Sequence, residues 1–468
     1  MLSRQRGGLL ANPMVRGVLS YLANESPTQE PLLDRVLVTY EKHSEWRFLL
    51  WYLLIDLIRR RLGVSRETLV NDFIDNAPVR SILVNACRSL ARYGPTQPQV
   101  FSSPLLVVWN FTNQCNLECK HCYQDASRAM ADELSLSERR RVVDELVAND
   151  VPMLSFSGGE PLISADFWEV ADYANRQGIH VSVATNGTLI SPEVARRLKQ
   201  IGVEYVQISV DSAQPEKHDL FRGVSGYWQK AIEGARNAVG AGLRVGIAPT
   251  MTSRNVDELG DLIALAKELG ARNFCAFNFI PTGRGARIAQ DDLSPEQRER
   301  TLQVLYEGML GGEMVTMSTC PQLGRFCFEK NPEGPMAVSH FTVGAAQQAK
   351  LLAEYVGGCG CGRVYCAIQP NGVVTPCVFM PVPVGDLRQQ SLAEIWELSS
   401  VLQELRNRED LEPHCGVCSY RTVCGGCRAR AYAYFGDYKA PDPGCRFNAS
   451  LWQELKAKDE PLAAIRRA

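Results

Sequence analysis

Cys115-Asn-Leu-Glu-Cys119-Lys-His-Cys122 follows directly on the apolar run 105–111. Three thiols spaced by three and then two residues can point into one small volume from a single loop. Three thiolates hold three corners of a four-iron, four-sulfur cluster, because such clusters are carried by cysteine thiolates. The fourth iron then has no protein ligand. By analogy with catalytic zinc, an open coordination position is where a metal site does chemistry. A bare zinc site is the competing reading of the same triplet.

At 468 residues the chain has room for two or three domains, and 45% apolar content is ample for a core. A net charge of −2 with both signs mixed along the chain excludes the electrostatic footprint of a nucleic-acid-binding protein. The N-terminal stretch MLSRQRGGLLANPMVRG lacks the apolar core of a secretion signal. The most apolar run, 48–55, is too short to span a bilayer, so no transmembrane segment is expected. It reads as a buried helix, with a membrane-surface helix as the alternative. Sixteen cysteines in a long chain without a signal point to metal or catalytic thiols in a reducing, cytoplasmic setting rather than to disulfides. Twelve of them fall at 115–122 and 359–445, which favours metal.

Outward from the cysteine run, residues 1–100 carry helical periodicity, and Gly94-Pro-Thr-Gln-Pro reads as a linker. From Pro104 on, short β-branched runs at 105–111, 153–156, 180–184, 205–210, 244–249 and 274–280 alternate with helical stretches. That alternation predicts an α/β fold with a parallel sheet and right-handed crossovers. Six such units are too few to close an eight-stranded barrel. In barrels of this type the site lies at the C-terminal ends of the strands. The cysteine loop follows the first strand there, and Ser157-Gly158-Gly159-Glu160-Pro161 follows the second. Asn186 follows the third, Ser209 and Asp211 end the fourth, and Arg284 follows the sixth. Residues 294–310 read as one more helix. The stretch 312–358 has no clear pattern, and its Cys320 and Cys327 read as loop thiols or as an active-site hydrogen donor.

The triplet with His121 at the aromatic position resembles the Cys-x3-Cys-x-aromatic-Cys signature of the radical S-adenosylmethionine (SAM) enzymes, and the Gly-Gly-Glu-Pro run extends the resemblance. The resemblance implies a partial (β/α)6 TIM-type barrel over 101–311, with 1–100 as a helical N-terminal region. It implies a [4Fe-4S] cluster on Cys115, Cys119 and Cys122 that binds SAM and cleaves it reductively to a 5′-deoxyadenosyl radical. Gly158, Gly159 and Glu160 would meet the methionine amino group, with His121, Asn186, Ser209 and Asp211 as further cofactor contacts. Arg284 would pair with a carboxylate. Reduced ferredoxin or flavodoxin would supply the electron.

Nine more cysteines follow, at 359, 361, 366, 377, 415, 418, 424, 427 and 445. The two-residue gaps among them suit zinc and Fe–S ligands alike, so a zinc ribbon is one reading. The runs Gly372-x4-Cys377, GDLRQQSLAEIW and CGGCRARAY resemble the SPASM extension, which carries two auxiliary [4Fe-4S] clusters. That resemblance makes 359–468 the auxiliary-cluster domain and 312–358 a connecting segment. It implies one cluster on Cys361, Cys366, Cys377 and Cys427, and another on Cys415, Cys418, Cys424 and Cys445. Cys359 is a ninth thiol for eight places, and it can be confused with Cys361. The last gap of the Cys415 group is also one residue shorter than the family often has.

Two substrate classes compete within this resemblance. The run CGVCSYRTVCGGCRARAYAYFGDYKAPDPGC looks most like the branch that removes tetrapyrrole side chains in the alternative haem and haem d1 routes. Peptide or protein maturation is the alternative, weakened by the absence of a β-hairpin pattern in 1–100. A carboxylated ring needs cations at the rim of its site, and Arg284, Arg287 and Arg325 are the candidates. An Fe–S electron carrier or scaffold is the non-enzymatic reading, and the strand-end residues argue against it. Phe221-Arg222-Gly223 occurs in both branches and decides nothing.

Overall fold

The computed structural model describes residues 10–23, 31–61, 63–339, 341–344 and 349–457, so residues 1–9 of the stretch read for a secretion signal lie outside it. Strands β1 (Leu106–Thr112), β2 (Met153–Gly158), β3 (His180–Thr185), β4 (Val203–Ile208) and β5 (Arg244–Ile247) come first, and the short β6 (Thr250–Met251) follows. After them come β7 (Asn273–Asn278), β8 (Val315–Ser318), the hairpin β9 (Met336–Val338) and β10 (Phe341–Val343), and finally β11 (Tyr365–Ile368), β12 (Val373–Thr375) and β13 (Gly385–Asp386). The six expected strands are β1 to β5 and β7.

The sheet runs β13-β12-β11-β1-β2-β3-β4-β5-β7, with β6 and β8 both on β7. Every pairing from β11 through β1 to β8 is parallel. Helices carry the crossovers, and several begin on reciprocal caps. Ser135 with Glu138 opens Leu136–Ala148, Ser294 with Gln297 opens Pro295–Gly311, and Ser391 with Glu394 opens Leu392–Leu398.

The sheet does not end at six strands. β8 comes from the stretch without clear pattern and β11 from the cysteine-rich end, and they form the two flanks. The sequence pattern does not include them: β8 has no regular strand–helix alternation around it, and β11 lies among cysteines read as ligands. Strand alternation then sorts the side chains. Val107, Trp109, Leu154, Phe156, Val181, Val183, Val206 and Ile208 point into the core beneath the helices. Leu106, Ser155, Ser182, Gln207 and Cys275 point into the concave side and line a cavity there.

Helices Leu32–Tyr40, Leu49–Arg61 and Ala77–Tyr93 belong to the N-terminal region, whose small core is built on Val36, Leu37, Tyr40, Phe48, Tyr52, Val70 and Ile74. The expectation that 48–55 is a buried helix is corrected. Phe48 and Tyr52 are buried, but Leu50 is 79% and Leu53 58% exposed. The run is apolar all round, whereas the small core covers only one of its faces. Among the described residues no helix is long and apolar enough to cross a membrane.

Candidate active site

The cysteine loop leaves β1 under tight restraint. Glu133 accepts from Thr112 Oγ1 at 3.0 Å and from the Asn113 backbone at 2.7 Å. The backbone N–H groups of Gly159 and Glu160 donate to the carbonyls of Thr112 and Gln114, both at 2.8 Å. A side chain at Gly159 would put its Cβ 2.1 Å from the Gln114 carbonyl oxygen. Gly158 has φ +112°, where a side chain is strained. The two glycines therefore seat the loop after β2 against the cysteine loop.

Donors already face the sulfurs. Ala126 N–H lies 3.4 Å from Cys122 Sγ, and Arg222 Nη1 lies 3.6 Å from Cys119 Sγ. Burial pushes the Cys115 thiol up to about 12 and raises that of Cys119, against which Arg222 works.

Arg222 is the site residue that the sequence undervalued. It sits at the end of an unexpected helix, Pro215–Arg222. Its Nε donates to Asp211 Oδ2 at 2.6 Å, both side chains being under 10% exposed. Burial works against the Asp211 charge, but Arg222 and then His121 hold its carboxyl near 2. Phe221 stacks on His121 with ring centroids 4.1 Å apart, and its carbonyl accepts from Lys120 N–H at 3.0 Å. Gly223 leaves room for the Glu118 carbonyl, 2.8 Å from where a Cβ would sit. Phe-Arg-Gly is thus a buttress for the cysteine loop. Only the fold, by bringing it across from β4, gives it that meaning.

The expected cofactor contacts divide into two layers around a cavity of about 600 Å³. Cys115, Cys119, His121, Cys122, Gly158, Gly159, Asn186 and Ser209 line it, as do Arg222 and Arg284. Glu160 and Asp211 stand behind that wall. Glu160 is fully buried and accepts from Thr185 Oγ1 at 2.8 Å and Asn186 N–H at 2.9 Å, so it holds the turn after β3. Burial, opposed by these donors, pushes its carboxyl up to about 7. Arg284 is bound into the cysteine loop: it donates to the carbonyls of Cys119 at 2.7 Å and Ala126 at 3.1 Å, and pairs with Asp125 at 2.8 Å. The carboxylate it meets is the chain's own.

The rim proposed for a carboxylated ring is corrected with it. Arg325 is buried in ion pairs with Glu299 and Glu329, because its helix Gln322–Lys330 packs inward. Arg287 is exposed and does not line the cavity.

Behind the cavity wall the C-terminal cysteines fall into two groups. Cys359, Cys361, Cys377 and Cys427 line one small cavity of about 30 Å³. Cys377 is held below the usual thiol value. Burial opposes this, but donors from Cys361, Tyr365 and the backbone outweigh it. Phe379 N–H reaches its Sγ at 3.4 Å, and the Tyr365 hydroxyl donates to it as well. Cys366 stands apart. It pairs in register with Val107 and packs in the core beneath the helices, and burial alone raises its thiol to about 12 against a pull from Arg406. Tyr365 faces the thiols and Cys366, one step on, faces away, so the grouping of Cys366 with Cys361 is corrected in favour of Cys359.

Cys415, Cys424 and Cys445 form the other group. Each of the Cys424 and Cys445 thiols is raised chiefly by burial and also by its sulfur neighbours. Arg428 Nη2 at 3.5 Å and Asp442 N–H at 3.4 Å donate to Cys415 Sγ. Cys418 lies on the same turn, its N–H on the Cys415 carbonyl at 3.4 Å. Cys320 and Cys327 are buried outside both groups, with Cys327 Sγ against the Met309 sulfur at 4.0 Å. Neither lines the main cavity.

Among the described residues no three His, Cys, Asp or Glu side chains are drawn together tightly enough for a single ion. Thiols spread around a void, with N–H groups aimed at their sulfurs, fit a cluster larger than an ion. Comparison with known proteins agrees. Residues 109–266 match the radical SAM superfamily model, and 359–419 match SPASM, an iron–sulfur cluster-binding domain. The chain is 37% identical to the AdoMet-dependent heme synthase of Methanosarcina barkeri over 74% of this chain and 97% of that protein. It is 32% identical to mycofactocin maturase MftC of Mycobacterium tuberculosis over 73% of this chain and 83% of that one. The structure of SuiB from Streptococcus suis bound to S-adenosylmethionine has the same fold, with a TM-score of 0.64 at 16% identity over 89% and 93% of the two chains.

Proposed function

The chain belongs to the radical SAM superfamily and is an enzyme that uses S-adenosylmethionine and [4Fe-4S] chemistry; from that premise we propose that it removes side chains from a carboxylated tetrapyrrole. The observation that carries this reading is the 37% identity to an AdoMet-dependent heme synthase across 97% of that protein's length. The cavity supports it. Leu106, Val108, Phe279, Ile280, Val378 and Phe379 give it an apolar wall between the barrel and the C-terminal thiols, suited to a flat ring.

In this reading Cys115, Cys119 and Cys122 hold the SAM-binding cluster. Cys359, Cys361, Cys377 and Cys427 hold one auxiliary cluster, and Cys415, Cys418, Cys424 and Cys445 hold a second. Those residues would hold cofactors that supply one-electron, hydrogen-abstracting chemistry, while the protein contributes placement and electronics. Gly158, Gly159, Asn186 and Ser209 hold the methionine and ribose parts of SAM. Arg222, paired with Asp211, keeps positive charge at Cys119. Glu160 orients Asn186 through its backbone. Tyr365 and Phe379 border both cavities and shield the auxiliary thiols from the substrate space. Reduced ferredoxin or flavodoxin in the cytoplasm supplies the electron.

A peptide substrate is the second reading, supported by the 32% identity to a mycofactocin maturase. Reconstituted enzyme, incubated anaerobically with SAM, reductant and iron coproporphyrin III, separates the two. Porphyrin-dependent 5′-deoxyadenosine with release of carbon dioxide from a propionate side chain is expected. If no porphyrin stimulates SAM cleavage while a peptide encoded beside the gene does, the peptide reading replaces it.

A further inference from the structure

Most buried arginines in this protein come with an acid. Arg139, Arg222, Arg298, Arg325 and Arg430 each have one within ion-pair distance. Arg363, Arg408 and Arg428 are as buried and have none among the described residues. Arg363 turns to the Gln99 carbonyl at 3.2 Å. The other two stand together against Gly425-Gly426, the link between Cys424 of one auxiliary thiol group and Cys427 of the other. A Cβ on Gly425 would run into Arg408 Nη1. One on Gly426 would run into Arg428 Nη2 and lie 2.9 Å from Cys415 Sγ.

The two groups meet here. Cys359 N–H donates to the Cys424 carbonyl at 2.9 Å. Arg408 donates to the carbonyls of Cys359 and, at 3.3 Å, of Gly425. Arg428 donates to the carbonyls of Tyr438 at 2.9 Å and Ala440 at 2.8 Å, and its Nη2 reaches Cys415 Sγ at 3.5 Å. Carbonyl oxygens satisfy N–H groups but leave a full positive charge unanswered, and an unanswered buried charge is costly. Asp442 is near, but Arg430, Gln322 and the backbone of Cys427 and Gly444 occupy its oxygens. Burial pushes the Arg408 guanidinium down; Cys359 opposes that, Arg428 adds to it, and Cys424 opposes it. Among the described residues, the groups left to answer the two cations are the thiols on either side of them.

We propose that Arg408 and Arg428 are the shared countercharge of the two auxiliary clusters and raise the reduction potentials of both. The inference rests on the two-cluster reading above and deepens it. Four thiolates outweigh the positive charge of a [4Fe-4S] core, so each cluster is an anion, and an added electron makes it more negative. A fixed cation beside it favours the reduced state, because these potentials follow net charge and hydrogen bonding at the sulfurs. Cations between two anions also offset the repulsion of one on the other.

The test is an anaerobic redox titration of the reconstituted holoenzyme, followed by electron paramagnetic resonance. Each reduction takes one electron from dithionite into one cluster, with no bond made or broken. Arg408→Gln and Arg428→Gln should each lower the auxiliary potentials by at least 59 mV, a tenfold shift in a one-electron equilibrium. Arg408→Lys and Arg428→Lys, which keep the charge, should stay nearer the wild-type value. The SAM-binding cluster, recognised by the change in its signal on adding SAM, should keep its potential in all four. A purely structural role predicts lost iron with unchanged potentials in the clusters that remain, and Lys no better than Gln. If both Gln variants fail to hold auxiliary iron, iron content decides: retention in the Lys variants supports the need for charge, and equal loss from Lys and Gln overturns it. Full iron with wild-type potentials in both Gln variants overturns the inference alone. A wild-type protein with iron for only one auxiliary cluster overturns the two-cluster reading and this inference with it.

Discussion

Cys359 lies at the edge of the small thiol cavity, and Cys366 looks out from the opposite face of β11. Their fates as ligands should differ accordingly. With the three clusters proposed above, replacing Cys359, Cys361, Cys377 or Cys427 by Ala should remove about a third of the iron, or on the order of four atoms. Cys366→Ala should leave iron content at the wild-type level. Iron and sulfide analysis of anaerobically reconstituted variants reads this directly, and equal iron in Cys359→Ala and wild type would sink the assignment. Arg222 and Asp211 set a second residue-scale expectation. Removing one member of a buried ion pair strands the other, which costs about 3–5 kcal/mol. Arg222→Met should lower unfolding stability by that order and loosen the cluster at Cys119, whereas an exposed charge such as Arg287→Met should change stability by less than about 0.5 kcal/mol. Denaturant titrations of the two variants decide it.

At the scale of elements, the cysteine loop is held in place by its neighbours. The turn after β2 reaches it through two glycines, and the helix Pro215–Arg222 reaches it from the other side. A Cβ at Gly159 meets backbone rather than a flexible side chain, so one of the two loops must move. Gly159→Ala should therefore destabilise the fold by about 1–3 kcal/mol, the usual range for overpacking. It should also lower the occupancy of the SAM-binding cluster while leaving the auxiliary iron in place. Electron paramagnetic resonance of the reduced protein, with and without SAM, separates those clusters. Full occupancy with an unperturbed SAM-dependent signal would show that the loop tolerates the shift.

For the whole molecule, the C-terminal segment is bound into the barrel at several levels. β11 continues the sheet from β1, Trp396 is buried with its indole on the Phe101 carbonyl at 2.9 Å, and Arg388 reaches Glu138 at 2.8 Å. Glu138 also caps its own helix. Arg388 and then the Ser135 backbone and hydroxyl hold its carboxyl down near 2, against an ordinary value of 4.5. A depressed folded-state value means stability that is complete above about 4.5 and is lost as pH falls toward 2. The difference in melting temperature between wild type and Arg388→Ala should then be constant from pH 8 to about 5 and shrink below about 4.5. A gap that widens on acidification would contradict this sign. The pair is partly solvated, so the gap itself should be small.

The local chemistry of this protein was legible in its sequence. Thiol spacing, the alternation of six strand and helix units, and glycines at a strand end are short-range patterns, and they pointed to the parallel sheet and the superfamily. What only the tertiary structure decided concerns residues far apart in the chain or close to an ambiguous period. Strands β8 and β11 lie outside the stretch of regular strand–helix alternation, yet they pair with the two ends of the six expected strands. Cys366 is turned away from the thiol group by the face of β11 it occupies, set by the register of that strand on β1, while Cys359, ahead of the strand, is brought to the small cavity. Arg284 and Arg325 read in the sequence as cations for a bound carboxylate, but ion pairs across the fold engage them. Conversely, Phe221-Arg222-Gly223 and Arg408 carry no signature of their own. They gain a role because packing places one against the cysteine loop and the other against the link between the two thiol groups, and side-chain orientation of that kind is a property of neighbours that sequence spacing does not specify.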